Sequence, residues 1–142
     1  MKVVFTVPGE PQGKARARTC RNGHTYTPEN TVLYENLVKT EYERQCGKAM
    51  VEEGIPLSMT IIAHYSIPAS WSKSKKSLAE KNEIRPTKKP DADNVAKVIC
   101  DALNGVAYKD DTQVVSLFVQ KVFGEPKTVV LLEWEATNAI DV

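Results

Sequence analysis

The chain has few cysteines and no long apolar run, the features that are typical of secreted, membrane and zinc-binding proteins. Its three cysteines, Cys20, Cys46 and Cys100, are odd in number and far apart, which excludes a disulfide framework. No apolar run approaches the roughly 20 residues that cross a bilayer, and the first residues lack the apolar stretch of a secretory signal. We therefore expect a cytoplasmic protein that makes no contact with membranes.

Motifs of several common enzyme classes are missing as well. The sequence contains no glycine-rich phosphate loop, no HExxH and no G-x-S-x-G. Cys20 and His24 could share a metal ion, but no second Cys/His pair completes a tetrahedral zinc site. The alternative for this segment is a polar turn built on Asn22-Gly23.

What is present favours one α+β domain over residues 1–142. With 142 residues and 42% hydrophobic content, the chain has the size and apolar fraction of a single globular domain. The predicted strands cover 2–7, 57–67, 113–123 and 128–135; the predicted main helices cover 28–47 and 93–104, with a short helix at 72–81 and a hairpin around Asn22-Gly23. We expect a small mixed sheet of about four strands packed with two main helices.

Apolar spacing indicates which faces of these elements form the core. The clearest faces are Val95, Val98, Ile99 and Ala102 on the helix over 93–104, and Met59, Ile61, Ala63 and Tyr65 on the strand over 57–67. The helix over 28–47 has no clean stripe; Leu33, Leu37 and Val38 with Tyr34, Tyr42 and Cys46 come closest to one.

A formal net charge of +1 hides an uneven distribution of charge along the chain. Residues 1–90 hold 15 basic and 9 acidic residues, net +6, whereas residues 91–142 hold 4 basic and 9 acidic, net −5. The basic residues concentrate in 14–21 and in 71–90, and the second stretch ends directly at Asp91. A solvated lysine loop is the alternative, but cations beside carboxylates fit a protein that holds a polyanion near a metal site. The candidate phosphate contacts are Lys14, Arg16, Arg18, Lys73, Lys75, Lys76, Arg85, Lys88 and Lys89.

The segment from 89 to 114, KPDADNVAKVICDALNGVAYKDDTQV, carries the candidate chemistry. Asp91 and Asp93 are two residues apart and can point to one side of an extended chain. Lys97 follows one helical turn after Asp93, and the Gly105 turn brings Asp110 and Asp111 back towards the helix. Three carboxylates from two nearby segments could hold Mg²⁺, which prefers oxygen ligands, and Lys97 could offset charge on a scissile phosphate.

Each acidic residue also has a structural alternative. Asp93 could cap its helix, Asp101 could pair with Lys97, and Asp110-Asp111 could form an ordinary turn. Taken residue by residue, these alternatives stay open. Their joint occurrence beside a basic stretch favours a metal-dependent nuclease.

The same segment closely resembles the core signature of the RusA-type endodeoxyribonucleases, Holliday junction resolvases common in prophages. The shared pattern is a PD-x-DN segment, a lysine, D-A-L-N, and a paired Asp before Gln-Val. The opening GEPQGKARARTCRNGHTYTPENTVLYE and the closing VSLFVQKVFGEPKTVVLLEW are also similar to the family, so the resemblance covers nearly the whole chain.

The resemblance implies a role for each matched residue. Asp91, Asp93 and Asp111 correspond to the three metal-binding aspartates, and Lys97 to the catalytic lysine. It also implies Mg²⁺ as cofactor and paired cuts of four-way DNA in recombination and repair, for which a two-fold homodimer is expected. The alternatives are a non-catalytic branched-DNA-binding protein and a nuclease that acts on flaps or other branched nucleic acid.

Overall fold

The computed structural model describes residues 1–135 and has the expected α+β fold; the predicted domain's last residues, 136–142, lie outside the described part. The strands are β1 (Lys2–Pro8), β2 (Arg18–Thr19), β3 (Thr25–Tyr26), β4 (Leu57–Tyr65), β5 (Val114–Phe123) and β6 (Lys127–Trp134). The helices are α1 (Glu29–Cys46), α2 (Lys73–Glu80) and α3 (Ala92–Leu103), with a short 3₁₀ helix at Asp111–Gln113.

Four strands form one mixed sheet in the order β1-β6-β4-β5. β4 pairs in parallel with β5 and antiparallel with β6, and β6 pairs antiparallel with β1. The turn at 124–126 therefore joins β5 to β6 past the end of β4 and does not close a hairpin. β2 and β3 form a separate two-stranded sheet, the predicted hairpin around Asn22-Gly23.

The core lies between one face of the main sheet and the helices α1 and α3. β4 alternates strictly, with every second side chain from Leu57 to Tyr65 buried and those between half-buried. The predicted stripe of α3 is confirmed, since Val95, Val98, Ile99 and Ala102 are all buried. One face of the central strand and one stripe of α3 thus supply the interior.

The core face of α1 was predicted less well. The buried residues are Thr31, Tyr34, Val38 and Tyr42, while Leu33 is 61% exposed. The series at 34, 38 and 42 follows the four-residue spacing of one helix face, and Leu33 precedes it by about 100° of rotation. The placement of Leu33 in the core was therefore wrong.

Two element boundaries differ from the predicted ones for local reasons. β4 ends at Tyr65, two residues early, because the Ser66 amide donates to the Glu10 carboxylate at 3.3 Å and not to a neighbouring strand. α3 begins at Ala92, so that Asp91 and not Asp93 occupies the N-cap. No helix within residues 1–135 has the length and apolar character to cross a membrane.

Candidate active site

The start of α3 presents Asp91 with its carboxylate largely unused. Asp91 is the N-cap residue by backbone conformation, yet its side chain accepts no capping bond from the helix amides. It is exposed, and it accepts one long hydrogen bond, 3.3 Å, from the Asn94 Nδ2. Asp93 follows in the first turn and is also exposed. Two carboxylates therefore face solvent where the partial positive charge of the helix favours negative groups.

A second cluster of acidic residues, Asp101, Asp110 and Asp111, lies where the chain returns to α3. Burial raises the pKa of Asp111, and so do the neighbouring carboxylates of Asp110 and Asp101, while the Lys97 ammonium opposes them. The charges of Asp101 and Lys97, both on the polar face of α3, therefore affect the ionisation of Asp111. Like charges raise each other's pKa because each ionised carboxylate disfavours the next. A cation placed among them relieves that repulsion.

The paired aspartates 110 and 111 have different surroundings. The Asp110 carboxylate accepts the Thr112 amide at 3.1 Å and caps the 3₁₀ helix, and this backbone bond lowers the pKa of Asp110. Gln113 completes the turn by accepting the Asp110 amide at 3.1 Å. Asp110 therefore fits the turn alternative, whereas the charges of Asp101 and Lys97 also affect the pKa of Asp111.

Lys14 has a different position from the one the sequence indicates. Its Nζ lies 3.0 Å from a Glu35 oxygen and 3.1 Å from an Asp101 oxygen, and only 19% of its side chain is exposed. Burial alone lowers the pKa of Lys14, but the bonds to Glu35 and Asp101 outweigh burial and raise it. Lys14 ties the first loop to α1 and α3, and its ammonium is already paired, so we do not propose it as a phosphate contact.

The Lys14 ion pairs also settle one alternative for Asp101. Among residues 1–135, Asp101 pairs with Lys14 and forms no salt bridge with Lys97. Lys97 is exposed one turn after Asp93. Its charge is therefore available to a bound phosphate.

The other cations of the two basic stretches stand on separate elements. Arg18 lies on the exposed β2–β3 hairpin, and Arg16 precedes that hairpin. The remaining candidates lie on α2 and on the segment that leads to α3: Lys73, Lys75, Lys76, Arg85, Lys88 and Lys89. Of these, only Lys76 is half-buried. We call these residues together the cationic surface; Lys75, Arg85 and Lys88 line one pocket, and Lys89 is two residues before Asp91.

Two residues near this surface, Lys121 and Tyr65, were not predicted from the sequence. The Lys121 Nζ donates to the Lys88 carbonyl at 2.6 Å, and the Tyr65 hydroxyl donates to the Pro90 carbonyl at 2.7 Å. Burial raises the pKa of Tyr65 to about 12, with the Asp91 charge adding to it. Both residues come near the ends of β4 and β5, and parallel strands end at one sheet edge. The sequence alone did not reveal this strand order, so these two residues were not predicted.

The acidic residues fit a divalent cation by their chemistry, although three of them are not gathered around one point. Within the described residues 1–135, no three His, Cys, Asp or Glu side chains are grouped so as to hold a metal ion. Asp101 lies eight residues after Asp93, which corresponds to about 12 Å along the helix. Mg²⁺ is ordinarily held by one or two carboxylates, several waters and the substrate phosphates. The solvent-facing Asp91 and Asp93, and Asp111 with its raised pKa, are oxygen donors of this kind.

A comparison with known proteins identifies the family of this chain and, with it, a nuclease. The family model described as "Endodeoxyribonuclease RusA" matches residues 8–133. The chain belongs to the RusA endodeoxyribonuclease family, whose members are DNA-binding hydrolases. It is also similar to "Uncharacterized protein YqaN" of Bacillus subtilis (strain 168), with 38% identity over 136 residues that cover 92% of this chain and 94% of the relative.

Proposed function

We propose that this RusA-family endonuclease is a Mg²⁺-dependent resolvase that makes paired cuts in four-way DNA junctions during recombination and repair. The observation that carries the proposal is the polar face of α3. Asp91 and Asp93 begin the helix, Lys97 follows, and Asp111 approaches the far half of the same face. A helix positions these groups more rigidly than a loop would.

Asp91, Asp93 and Asp111 are the residues that would hold the ion. When bound, Mg²⁺ supplies positive charge to the scissile phosphodiester and lowers the pKa of coordinated water. Lys97 stabilises the extra negative charge that develops on the phosphate oxygens as water attacks in line. The new bond joins water oxygen to phosphorus, the bond from phosphorus to the 3′ oxygen breaks, and that oxygen takes up a proton. The products are a 5′-phosphate and a 3′-hydroxyl.

The cationic surface holds the rest of the substrate. The proposed phosphate contacts are Arg16, Arg18, Lys73, Lys75, Lys76, Arg85, Lys88 and Lys89. Lys121 and Tyr65 fix the backbone of Lys88 and Pro90, so the last cations of this surface are held next to Asp91. Positive charge leads directly to the acidic helix, and repulsion between the carboxylates and the DNA is offset.

Cleavage of three substrates in parallel tests the proposal. We expect the protein to cut a synthetic four-way junction in Mg²⁺, with much less cutting of a flap or a linear duplex of matched sequence. Asp91→Asn should abolish cleavage and leave junction binding as tight or tighter, because one negative charge beside the phosphates is lost. Equal cutting of all three substrates would contradict the junction preference, and normal cutting by Asp91→Asn would contradict the site.

A further inference from the structure

A pocket of about 240 Å³ lies between the end of β5 and the segment from 68 to 88 that contains α2. Its walls are apolar and aromatic: Trp71, Phe123, Ile84 and Pro86. At about 30 Å³ per water molecule, the pocket has room for about eight waters. One heterocyclic base fits within such a space.

The floor of the pocket is an aromatic pair. The rings of Trp71 and Phe123 meet edge to face, with centroids 5.2 Å apart and an interplanar angle of 70°. Trp71 is half-buried, so part of the indole stays accessible from the pocket. The Lys75 Nζ lies 4.0 Å from the Trp71 ring centroid. This face of the indole is therefore covered by an exposed lysine side chain, which a ligand can displace towards a phosphate.

The rim of the pocket is cationic. Lys75, Arg85 and Lys88 all line it, and none of its lining residues is acidic. The Arg85 Nε donates to the Lys121 carbonyl at 2.8 Å, which orients the guanidinium and leaves its terminal nitrogens for an anion. The Lys121 Nζ in turn holds the Lys88 carbonyl. Two of the three cations are thus anchored to β5.

We infer that this pocket binds a single unpaired nucleobase together with its adjoining phosphate. Aromatic faces stack on any base and nearby cations follow the backbone, which is the combination that single-strand-binding sites use. Lys88 is three residues before Asp91, so their Cα atoms are at most about 11 Å apart. A base in the pocket belongs to a strand whose backbone passes the acidic helix. In this role the pocket rests on the proposed function, because a branch point is where a bound strand has unstacked bases.

Fluorescence of Trp71 tests the inference directly. The sequence contains two tryptophans, Trp71 and Trp134, so Trp134→Phe leaves Trp71 as the single reporter. In Ca²⁺ or EDTA, titration with a short oligothymidine should quench this emission to saturation. The matched variant Trp71→Phe, which keeps Trp134, should show no quenching. An abasic oligomer of the same length should bind more weakly and leave Trp71 unquenched.

Affinity measurements supply the second readout. Trp71→Ala should weaken oligothymidine binding roughly 5- to 150-fold, the range measured for loss of one stacking aromatic, and change blunt-duplex binding less than twofold. Leu78→Ala, which removes an exposed side chain of α2 outside the pocket, should leave both affinities unchanged.

The outcomes separate the pocket from the proposed function. Quenching without junction cleavage would overturn the resolvase proposal and support the pocket. Cleavage with oligothymidine binding but no quenching would overturn the pocket alone. Equal quenching by the abasic oligomer would also overturn it, because the site would then hold only phosphate.

Discussion

At the scale of single residues, Lys14 shows that the position of a charged side chain in the fold determines its role. In the sequence it is one cation among several in GKARARTCR. In the fold it lies between Glu35 and Asp101, with most of its side chain buried. The ion pair with Lys14 holds the Asp101 carboxylate in place, and the charge of Asp101 acts on Asp111. Lys14 therefore acts as a positioning residue for the acidic face of α3.

Lys14→Met should lower the free energy of unfolding by about 1–2 kcal/mol, because it leaves two carboxylates without their partner. The change is measured by urea unfolding, with Lys48→Met as control; Lys48 is exposed, in the loop after α1, and should change stability by less than about 0.5 kcal/mol. Equal effects of the two substitutions would contradict the role of Lys14.

The contribution of Lys14 should also depend on pH in one direction. Its folded-state pKa is raised above the ordinary 10.5, so its stabilisation is fully present below that value and is lost as pH rises through the folded pKa. The stability difference between wild type and Lys14→Met should therefore be constant from about pH 6 to 9 and should narrow above the ordinary pKa. A difference that widens with rising pH would contradict this assignment.

At the scale of elements, the first loop is held against the start of α3. The Lys14 amide donates to the Asn94 carbonyl at 3.1 Å. A side chain at Gly13 would place its Cβ 2.9 Å from the Asn94 Cβ and 3.0 Å from the Pro90 Cβ. The absence of a side chain at Gly13 is what allows the loop to approach Asp91.

Gly13→Ala should therefore destabilise the fold by about 1–3 kcal/mol, the usual effect of overpacking. It should also reduce cleavage more than the loss of folded protein explains, because it displaces the turn that carries Asp91. Urea unfolding and cleavage rates measure the two effects. Gln12→Ala, an exposed neighbour, should leave both near the wild-type values. Wild-type stability in Gly13→Ala would show that the contact is not tight.

The same elements show what the sequence could predict. Strands, helices and the stripe of α3 follow from local periodicity, which depends on neighbours within a few residues. The pairing of β4 with β5, and so the meeting of Tyr65 and Lys121 near Pro90, depends on sheet order, which no local pattern contains. The ion pairs of Lys14 join loop 14 to residues 35 and 101, again beyond local reach. The residues of the acidic face could be predicted from the sequence. The partners that position these residues could not be predicted.

At the scale of the whole molecule, β5 is an edge strand of unusual composition. From Val114 to Gln120 it has no charged residue, proline or glycine, and Val115, Leu117 and Phe118 are 66%, 49% and 56% exposed. Edge strands are normally protected by charge, proline or irregularity. We propose that a second copy covers this edge around a two-fold axis, giving the homodimer that paired cuts in a two-fold junction require.

Phe118→Glu should convert this dimer to a monomer, because two like charges would face each other near the axis. Light scattering coupled to size exclusion measures the mass. Val4→Glu places the same charge on the opposite edge strand, β1, where Val4 is 51% exposed, and should leave the dimer intact. A monomeric wild type, or dissociation by Val4→Glu alone, would contradict this interface.

The most direct test of the central claim compares the two adjacent aspartates of the Asp110-Asp111 pair. Asp111→Asn removes a proposed metal ligand and should reduce junction cleavage in Mg²⁺ by more than the roughly 10–100-fold that follows loss of a mere supporting partner of a metal site. Asp110→Asn keeps a residue that caps helices well and should cleave within a few-fold of wild type. If Asp111→Asn instead cleaves within a few-fold of wild type, Asp111 is not a metal ligand and the proposed three-aspartate site is wrong.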